Sequence, residues 1–191
     1  MKKFRLFLLL LIAGVVFSPE AEAQDGFFSD AQTLRNQHVA LGIQPVYYTS
    51  GEDVMLNIRG AYGLKPGLTV HGKLGVFRNE TYVGAHLEHR LTGEPASALS
   101  FALLGGIYSF GDIGLKLSAV LSKQIDPFSI YTGISYEPLF SDPARNPVLI
   151  PVGVDIPLIS RKTNAIFEAD IAVSDDGEAY QSIHFGLNFY L

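Results

Sequence analysis

Two short stretches near the C-terminus carry residue types that hydrolytic enzymes use. Ser182 and His184 alternate in one stretch, and Glu168 and Asp170 alternate in the other. If the stretches are antiparallel neighbours about the turn SDDGE, His184 lies opposite Glu168, and in the same register Ser182 lies opposite Asp170. Serine, histidine and carboxylate on one wall are the groups of a nucleophilic hydrolase. The sequence provides no oxyanion site, however, and buried charges that pair with one another explain the same residues without catalysis.

Histidines raise the question of a metal site elsewhere in the chain. His71 and His86 flank the turn RNE and are expected to face each other on adjacent strands. His86 also shares a face with Glu88 in HLEH, whereas His89 points to the opposite face because side chains alternate along a strand. HLEH is therefore not a ligand set by itself, and SDDGE, although acidic enough for calcium, is first of all a hairpin turn. We expect hydrogen bonding at these positions, with no metal and no cofactor.

All of these residues fall on segments that alternate with the period of a β-strand. In SIHFGLNFYL, residues 182–191, every second residue is apolar. Similar segments recur along the chain, separated by short connectors rich in Gly, Pro, Asp or Asn, which favour tight reversals. The pattern predicts ten strands, at 37–49, 53–63, 68–77, 81–91, 98–110, 112–124, 128–138, 147–157, 164–173 and 179–191.

The short connectors decide how these strands are arranged. Neighbours joined by so few residues must be antiparallel, since a parallel pair needs a crossover of a dozen or more residues. The predicted fold class is therefore all-β, an antiparallel up-and-down barrel of about ten strands. Strand boundaries read from sequence are accurate to about two to four residues, so eight and twelve strands also fit the pattern.

The two faces of the strands indicate which side meets lipid. One face is almost wholly aliphatic, while the other mixes small residues with single charges of both signs, and the chain is only 17% charged against roughly 25% in soluble domains. Small and charged residues suit the narrow inside of a small barrel, which predicts a transmembrane barrel with its aliphatic face outward. The charged residues predicted inside are Arg59, Lys73, Glu88, Arg90, Lys116, Glu137, Asp155, Glu168, Asp170 and His184.

These inward charges are nearly balanced, and approximate pairing brings Lys116 near Glu137. Barrels of eight strands are filled by side chains, whereas open channels have about 16 strands. We therefore expect a lumen largely filled by paired charges, and a non-enzymatic protein with a structural or narrow-transport role.

Aromatic residues recur near the ends of the predicted strands, where rings at two heights would form interfacial girdles. This set comprises Tyr47, Tyr48, Tyr62, Phe77, Tyr82, Tyr108, Phe110, Phe128, Tyr136, Phe140 and Tyr180.

The N-terminus indicates export. Residues 1–23 combine a basic start, the apolar run LFLLLLIAGVVF and a small-x-small exit at Ala21-Glu22-Ala23, which together predict a signal peptide. The mature chain is expected to begin at Gln24, and removing three basic and two acidic residues takes the net charge from −5 to −6. Such a chain lacks a basic nucleic-acid footprint, and without cysteine it has no thiolate zinc site. Residues 24–36 are expected to form a periplasmic segment, as a tail, a short helix or a partial plug, ahead of a barrel at 37–191.

The signal peptide, the ten alternating segments, the absence of cysteine and the final FGLNFYL together resemble a small bacterial outer-membrane β-barrel protein. The resemblance implies residence in the outer membrane of a Gram-negative-type bacterium, with outer-membrane lipid as a partner. It also implies that the last strand is an insertion signal for the barrel-assembly machinery. Family members commonly end in an aromatic residue, whereas this chain ends in Leu191 after Phe189 and Tyr190. The sequence does not set the oligomeric state.

Two other functions remain compatible with the pattern. One is a soluble secreted or periplasmic barrel that binds an apolar ligand inside, with its aliphatic face turned inward. The other is an outer-membrane lipid-modifying hydrolase that uses Ser182, His184 and Asp170.

Overall fold

The chain forms ten antiparallel strands. A computed structural model describes residues 31–51, 53–77, 80–92, 99–141, 143–158 and 162–191. The strands are β1 (Val39–Tyr48), β2 (Asp53–Lys65), β3 (Leu68–Phe77), β4 (Glu80–Thr92), β5 (Leu99–Phe110), β6 (Asp112–Ile125), β7 (Phe128–Tyr136), β8 (Val148–Pro157), β9 (Thr163–Ala172) and β10 (Ser182–Tyr190). The predicted number of ten strands is confirmed. The predicted signal peptide, 1–23, and residues 24–30 lie outside the described residues.

The strands close into a barrel in which each pairs with its neighbours in sequence. β1 and β10 complete the wall, with Ala40 opposite Tyr190 and Tyr48 opposite Ser182. This up-and-down meander is the arrangement that short connectors dictate. Among the described residues, no helix is long and apolar enough to cross a membrane.

Two tight turns depend on glycine. Gly67 lies between β2 and β3 with a φ of 79°, and Gly111 is the single residue between β5 and β6 with a φ of 69°. Backbone with positive φ disfavours residues that carry a Cβ, so glycine is the residue that allows these reversals. The turn between β6 and β7 contains a cis bond between Asp126 and Pro127.

The aliphatic face of the wall points outward and the polar face inward. On β6, the side chain of Leu117 is 52% exposed, whereas that of Ser118 is 7% exposed. The same alternation runs along the other strands, with exposed Ile58, Leu74 and Ile107 among the outward residues. The predicted direction of the two faces is therefore confirmed. A soluble barrel with an aliphatic interior is contradicted, because the buried face carries the charges.

The predicted aromatic girdles are partly wrong. Tyr48, Phe77, Tyr82, Tyr108, Phe110 and Tyr180 are buried inside the barrel, while Tyr47, Tyr62, Tyr136 and Phe140 are exposed. The physical reason is strand parity: Tyr47 and Tyr48 are both near the end of β1, but adjacent residues point to opposite faces. Position near a strand end therefore does not decide whether a ring meets lipid or the lumen.

The acidic stretch before β10 is also more than a tight hairpin turn. Asp175–Tyr180 forms a 3₁₀-helix, and β10 begins at Ser182 rather than near residue 179. Gly177 and Tyr180 are the buried residues of this helix, while its three acidic residues lie in the first turn. This connector lies at the same barrel end as the turns β1–β2, β3–β4 and β5–β6 and the long connection between β7 and β8. That end is called the loop end below, and the opposite one, where β1 begins and β10 ends, is called the terminal end.

A charge placed on the outward face is expected to cost more at mid-strand than near a strand end. Leu117→Arg lies near the middle of β6 and should lower the free energy of unfolding in lipid by about 2–4 kcal/mol. Ile125→Arg is the matched control, since Ile125 is exposed on the same strand at its end, and should cost about 0–1 kcal/mol. Denaturant titration in lipid vesicles measures both. Equal costs at the two positions would contradict a membrane around this face.

Candidate functional site: the polar lumen

The ten charged residues predicted to point inward define the candidate site. Nine of them are buried inside the barrel, and Arg90 is half-buried near the end of β4. They come from β2, β3, β4, β6, β8, β9 and β10, together with Glu137 just after β7. Their side chains share one space, because successive residues of a strand point to opposite faces of the wall.

Lys116 and Glu137 form an ion pair in this space. Lys116 Nζ lies 3.1 Å from Glu137 Oε1, and both side chains are almost fully buried. The Ser135 hydroxyl donates a short hydrogen bond to the same carboxylate and also contacts the Ser118 hydroxyl at 2.8 Å. The proximity predicted from approximate pairing is confirmed, and the two serines provide further hydrogen bonds that the sequence did not single out.

The histidines of β3 and β4 form a second polar group. His71 and His86 are register partners, and their rings stack with centroids 5.5 Å apart. His71 Nε2 lies 2.8 Å from Glu88 Oε2. His89 points outward and contacts the Gly67 carbonyl oxygen, as side-chain alternation predicts. The HLEH sequence is therefore divided between the two faces of the wall.

The wall formed by β8, β9 and β10 carries a third group, which is predominantly acidic. The registers of His184 with Glu168 and of Ser182 with Asp170 are confirmed. His184 Nε2 lies 2.9 Å from Asp170 Oδ2. On the same wall, the Asn164 amide donates to Asp155 Oδ1 at 2.6 Å. The carboxylates of Glu168 and Asp170, both on β9, thus lie beside one histidine of the adjacent strand β10.

Two further side chains complete this group, and sequence reasoning missed both. The Tyr131 hydroxyl donates to Glu168 Oε2 at 2.7 Å, and Gln44 Nε2 lies 2.6 Å from His184 Nδ1. Gln44 reaches His184 because β1 pairs with β10, a contact between the two ends of the sequence. The strand alternation that placed Gln44 inward was visible in the sequence, but its partner could be found only from barrel closure.

The arrangement of Ser182, His184 and Asp170 differs from that of a hydrolase. In a catalytic triad the serine contacts one ring nitrogen and the carboxylate contacts the other, so that the carboxylate holds the histidine ready to accept the serine proton. Here the Ser182 hydroxyl lies 2.8 Å from His184 Nε2, and Asp170 contacts that same nitrogen. Asp170 therefore does not hold Nδ1 as a triad carboxylate would, and the carboxylate nearest to Nδ1 is Glu168 at 4.0 Å. The serine hydroxyl also lies 3.4 Å from Asp170 Oδ2.

Glu168, Asp170 and His184 can each offer one ligand atom, and these atoms all lie within 4.8 Å of one another. This is a different set from the histidines of β3 and β4, at which the sequence raised the metal question. The predicted registers of β9 and β10 already bring these three residues together, both as a candidate catalytic group and as a candidate ligand set.

Aromatic rings close the loop end of the lumen. Tyr48, Phe77, Tyr82 and Phe110 belong to a buried cluster that also contains Tyr180 from the 3₁₀-helix. Phe77 and Phe110 make an edge-on contact with centroids 5.6 Å apart. Burial raises the pKa of the Tyr180 hydroxyl to about 12, so this ring stays uncharged at neutral pH.

Two inward glycines leave room for the rings of the tyrosines opposite them on the neighbouring strand. Tyr108 is the register partner of Gly114, and Tyr131 is that of Gly153. A Cβ on either glycine would collide with the ring of its tyrosine. The inward glycines that indicated a narrow lumen therefore have a specific use, which is to hold aromatic side chains within it.

The chain ahead of β1 occupies the terminal end of the lumen. Ala31 is fully buried and packs in a cluster with Ala102, Leu104 and Val120. The Leu34 amide donates to the Thr69 hydroxyl at 2.9 Å. Residues 31–36 therefore enter the lumen at this end, whereas residues 24–30 lie outside the described residues and the form of the whole segment stays a prediction.

Comparisons with known proteins provide a fold relationship. No protein-family model matches the sequence, and no curated protein matches it. A solved structure described as KdgM porin is similar with a TM-score of 0.52 and 9% identity, over 78% of this chain and 98% of that chain. The N-terminal β-barrel domain of Pseudomonas aeruginosa OprF gives a TM-score of 0.41 and 8% identity, over 83% and 100% of the two chains. A de novo designed transmembrane β-barrel gives 0.42 and 12%, over 83% and 99%. At this identity the similarity to the KdgM porin structure shows a shared barrel fold.

Proposed function

We propose that this protein is a non-enzymatic β-barrel of the outer membrane of a Gram-negative-type bacterium, with a structural role and a lumen held shut. The observation that carries the proposal is the inverted distribution of side chains: aliphatic residues lie outside and charged residues inside. The outer surface of this wall is not suited to contact with water, because large continuous aliphatic surfaces on soluble proteins are unfavourable and rare. The hydrocarbon core of a bilayer is a favourable environment for this surface. A closed barrel pairs the backbone N–H and C=O groups of all its strands, as a membrane requires.

Strand length supports the same placement. The ten strands have 9 to 14 residues, and a tilted transmembrane strand needs about 9–11. Exposed Tyr47, Tyr62 and Tyr136 lie near strand ends, where aromatic rings favour the interface between lipid and water. The barrel fold shared with a protein described as a porin supports an outer-membrane location.

The lumen is obstructed at three levels, which favours a structural role over transport. The aromatic cluster closes the loop end, buried charges and their partners fill the middle, and residues 31–36 enter the terminal end. A narrow-transport role is the second candidate, favoured by the polar middle of the lumen and by the porin description of the similar structure.

Lipid of the outer membrane would surround the aliphatic outer face.

The barrel-assembly machinery would recognise β10. This strand ends with exposed Phe189 and half-buried Tyr190 before Leu191, and it pairs with β1 to complete the wall.

Membrane residence is tested by fractionation and gel migration. In cells that express the chain, it should remain in the outer-membrane fraction and be extracted only by detergent. On SDS gels its migration should change on boiling, because a closed barrel resists SDS at room temperature. Recovery as a soluble periplasmic protein without heat-dependent migration would contradict the proposal.

The closed lumen is tested by electrical recording in planar bilayers. The purified barrel should give little or no steady conductance, since aromatic rings and residues 31–36 obstruct both ends of the path. Large and stable single-channel steps would instead support the narrow-transport role. A porin refolded in the same way provides the positive control for insertion.

The pairing of lumenal charges is tested by a double-mutant cycle. Lys116→Met leaves the Glu137 carboxylate buried without its ion-pair partner, so it should lower the free energy of unfolding by about 3–5 kcal/mol. Adding Glu137→Leu should recover part of that loss, and the cycle isolates the coupling between the two residues. Lys123→Met, at an exposed lysine of the same strand, is the control. Additive effects in the cycle would contradict the pairing.

A further inference from the structure

We propose that Glu168, Asp170 and His184 form a binding site inside the barrel for a divalent transition-metal ion of the Zn²⁺ type. One imidazole nitrogen and two carboxylate oxygens are ligands that Zn²⁺ accepts, and three protein ligands leave a position for water. The three side chains are buried and lie on the adjacent strands β9 and β10. The proposal does not depend on whether the barrel conducts.

The spacing of the ligand atoms is close to that of a metal centre. At bond lengths of about 2.0–2.1 Å, tetrahedral ligands are about 3.3 Å apart. His184 Nε2 and Asp170 Oδ2 are 2.9 Å apart, and the widest separation in the set is within 4.8 Å. Glu168 Oε1 lies 4.0 Å from Nδ1 of the same ring, so closing the set around an ion at Nε2 needs the Glu168 side chain to move toward that nitrogen.

The amide of Gln44 provides an independent indication. Gln44 is fully buried with its amide against His184 Nδ1, yet among the described residues its Oε1 atom has no hydrogen-bond partner. The oxygen and nitrogen of an amide exchange places when the group is turned over, and their assignment rests on the surrounding hydrogen bonds. Turning the Gln44 amide over brings Oε1 to Nδ1, where the oxygen accepts a hydrogen bond from the ring N–H.

That exchange fixes the state of the imidazole. With its proton on Nδ1 and donated to Gln44, the neutral ring of His184 has an unprotonated Nε2, which faces Asp170. A ligand histidine whose other nitrogen donates to a carbonyl oxygen is the usual arrangement at protein metal sites. Gln44 therefore acts as a positioning residue.

Two hydroxyls lie beside the ligand groups. Tyr131 donates to Glu168 Oε2 and so orients that carboxylate. The Ser182 hydroxyl lies 2.8 Å from His184 Nε2, and it gives up this contact when an ion binds the nitrogen. Two carboxylates held this close repel each other when both are ionised, and a divalent cation between them offsets that repulsion.

Metal titration of the folded barrel tests the proposal. The mature chain, purified in detergent without a polyhistidine tag and treated with EDTA, is titrated with CoCl₂ and followed by visible absorption. We expect saturation at a single equivalent, displacement of Co²⁺ by ZnCl₂, and a rise in the unfolding temperature with Zn²⁺ through mass action. Failure of the parent protein to bind stoichiometrically would overturn the site, and would mean that a protonated His184 holds the two carboxylates together instead.

Variants assign the ligands. His184→Gln and Asp170→Asn should abolish stoichiometric binding, while Gln44→Met, which keeps all three ligands, should weaken it by about ten- to hundredfold. Glu88→Gln is the matched control, since Glu88 makes the other close carboxylate contact to a buried lumenal histidine, and its binding should equal that of the parent. Heat-dependent gel migration verifies that each variant is folded. Unchanged affinity in folded His184→Gln, or equal loss in Glu88→Gln, would overturn the assignment.

Discussion

The narrow interior of a closed ten-strand wall is the constraint on which the rest of the structure depends. Alternate residues of every strand point into it, and their side chains must share a space that bulk water reaches poorly. Charged groups in such a space need partners, which explains why Lys116 contacts Glu137 and His71 contacts Glu88. Large rings must also fit, and they do so where glycine stands opposite tyrosine, as at Gly114 and Gly153.

The charges are not distributed evenly around this interior. Basic Arg59, Lys73 and Lys116 belong to β2, β3 and β6, whereas Asp155, Glu168 and Asp170 belong to β8 and β9. In the strand order, β3 and β8 lie on opposite sides of the closed wall. Basic side chains therefore predominate on one side of the lumen, where Glu88 of β4 is the acidic exception, and acidic side chains predominate on the other. On β9, Glu168 and Asp170 are adjacent in the inward series, so two carboxylates lie together there.

Much of this arrangement follows from the sequence, because its two main determinants are local. Alternation fixes which residues face inward, and short connectors fix antiparallel neighbours, so the register of His184 with Glu168 could be derived without coordinates. Gln44 is different: its contact with His184 joins β1 to β10 and requires that the barrel close. The inward direction of Tyr48 and Tyr108 follows from strand parity, which proximity to a strand end does not reveal. The 3₁₀-helix at Asp175–Tyr180 owes its position to the burial of Tyr180 in the aromatic cluster, which no local pattern reveals.

The seam between β1 and β10 has a consequence for the order of folding. It pairs residues as far apart as Ala40 and Tyr190, so its loop-closure entropy is the largest of any strand pair, and contacts of such separation form slowly. Until it forms, both strands present unpaired backbone edges beside aliphatic side chains, a combination prone to association with other chains. Ala31 packs against Ala102, Leu104 and Val120 inside the wall, so its burial is complete only when the strands around it are in place. Pairing of β1 with β10 is therefore the event that gives a closed and filled barrel.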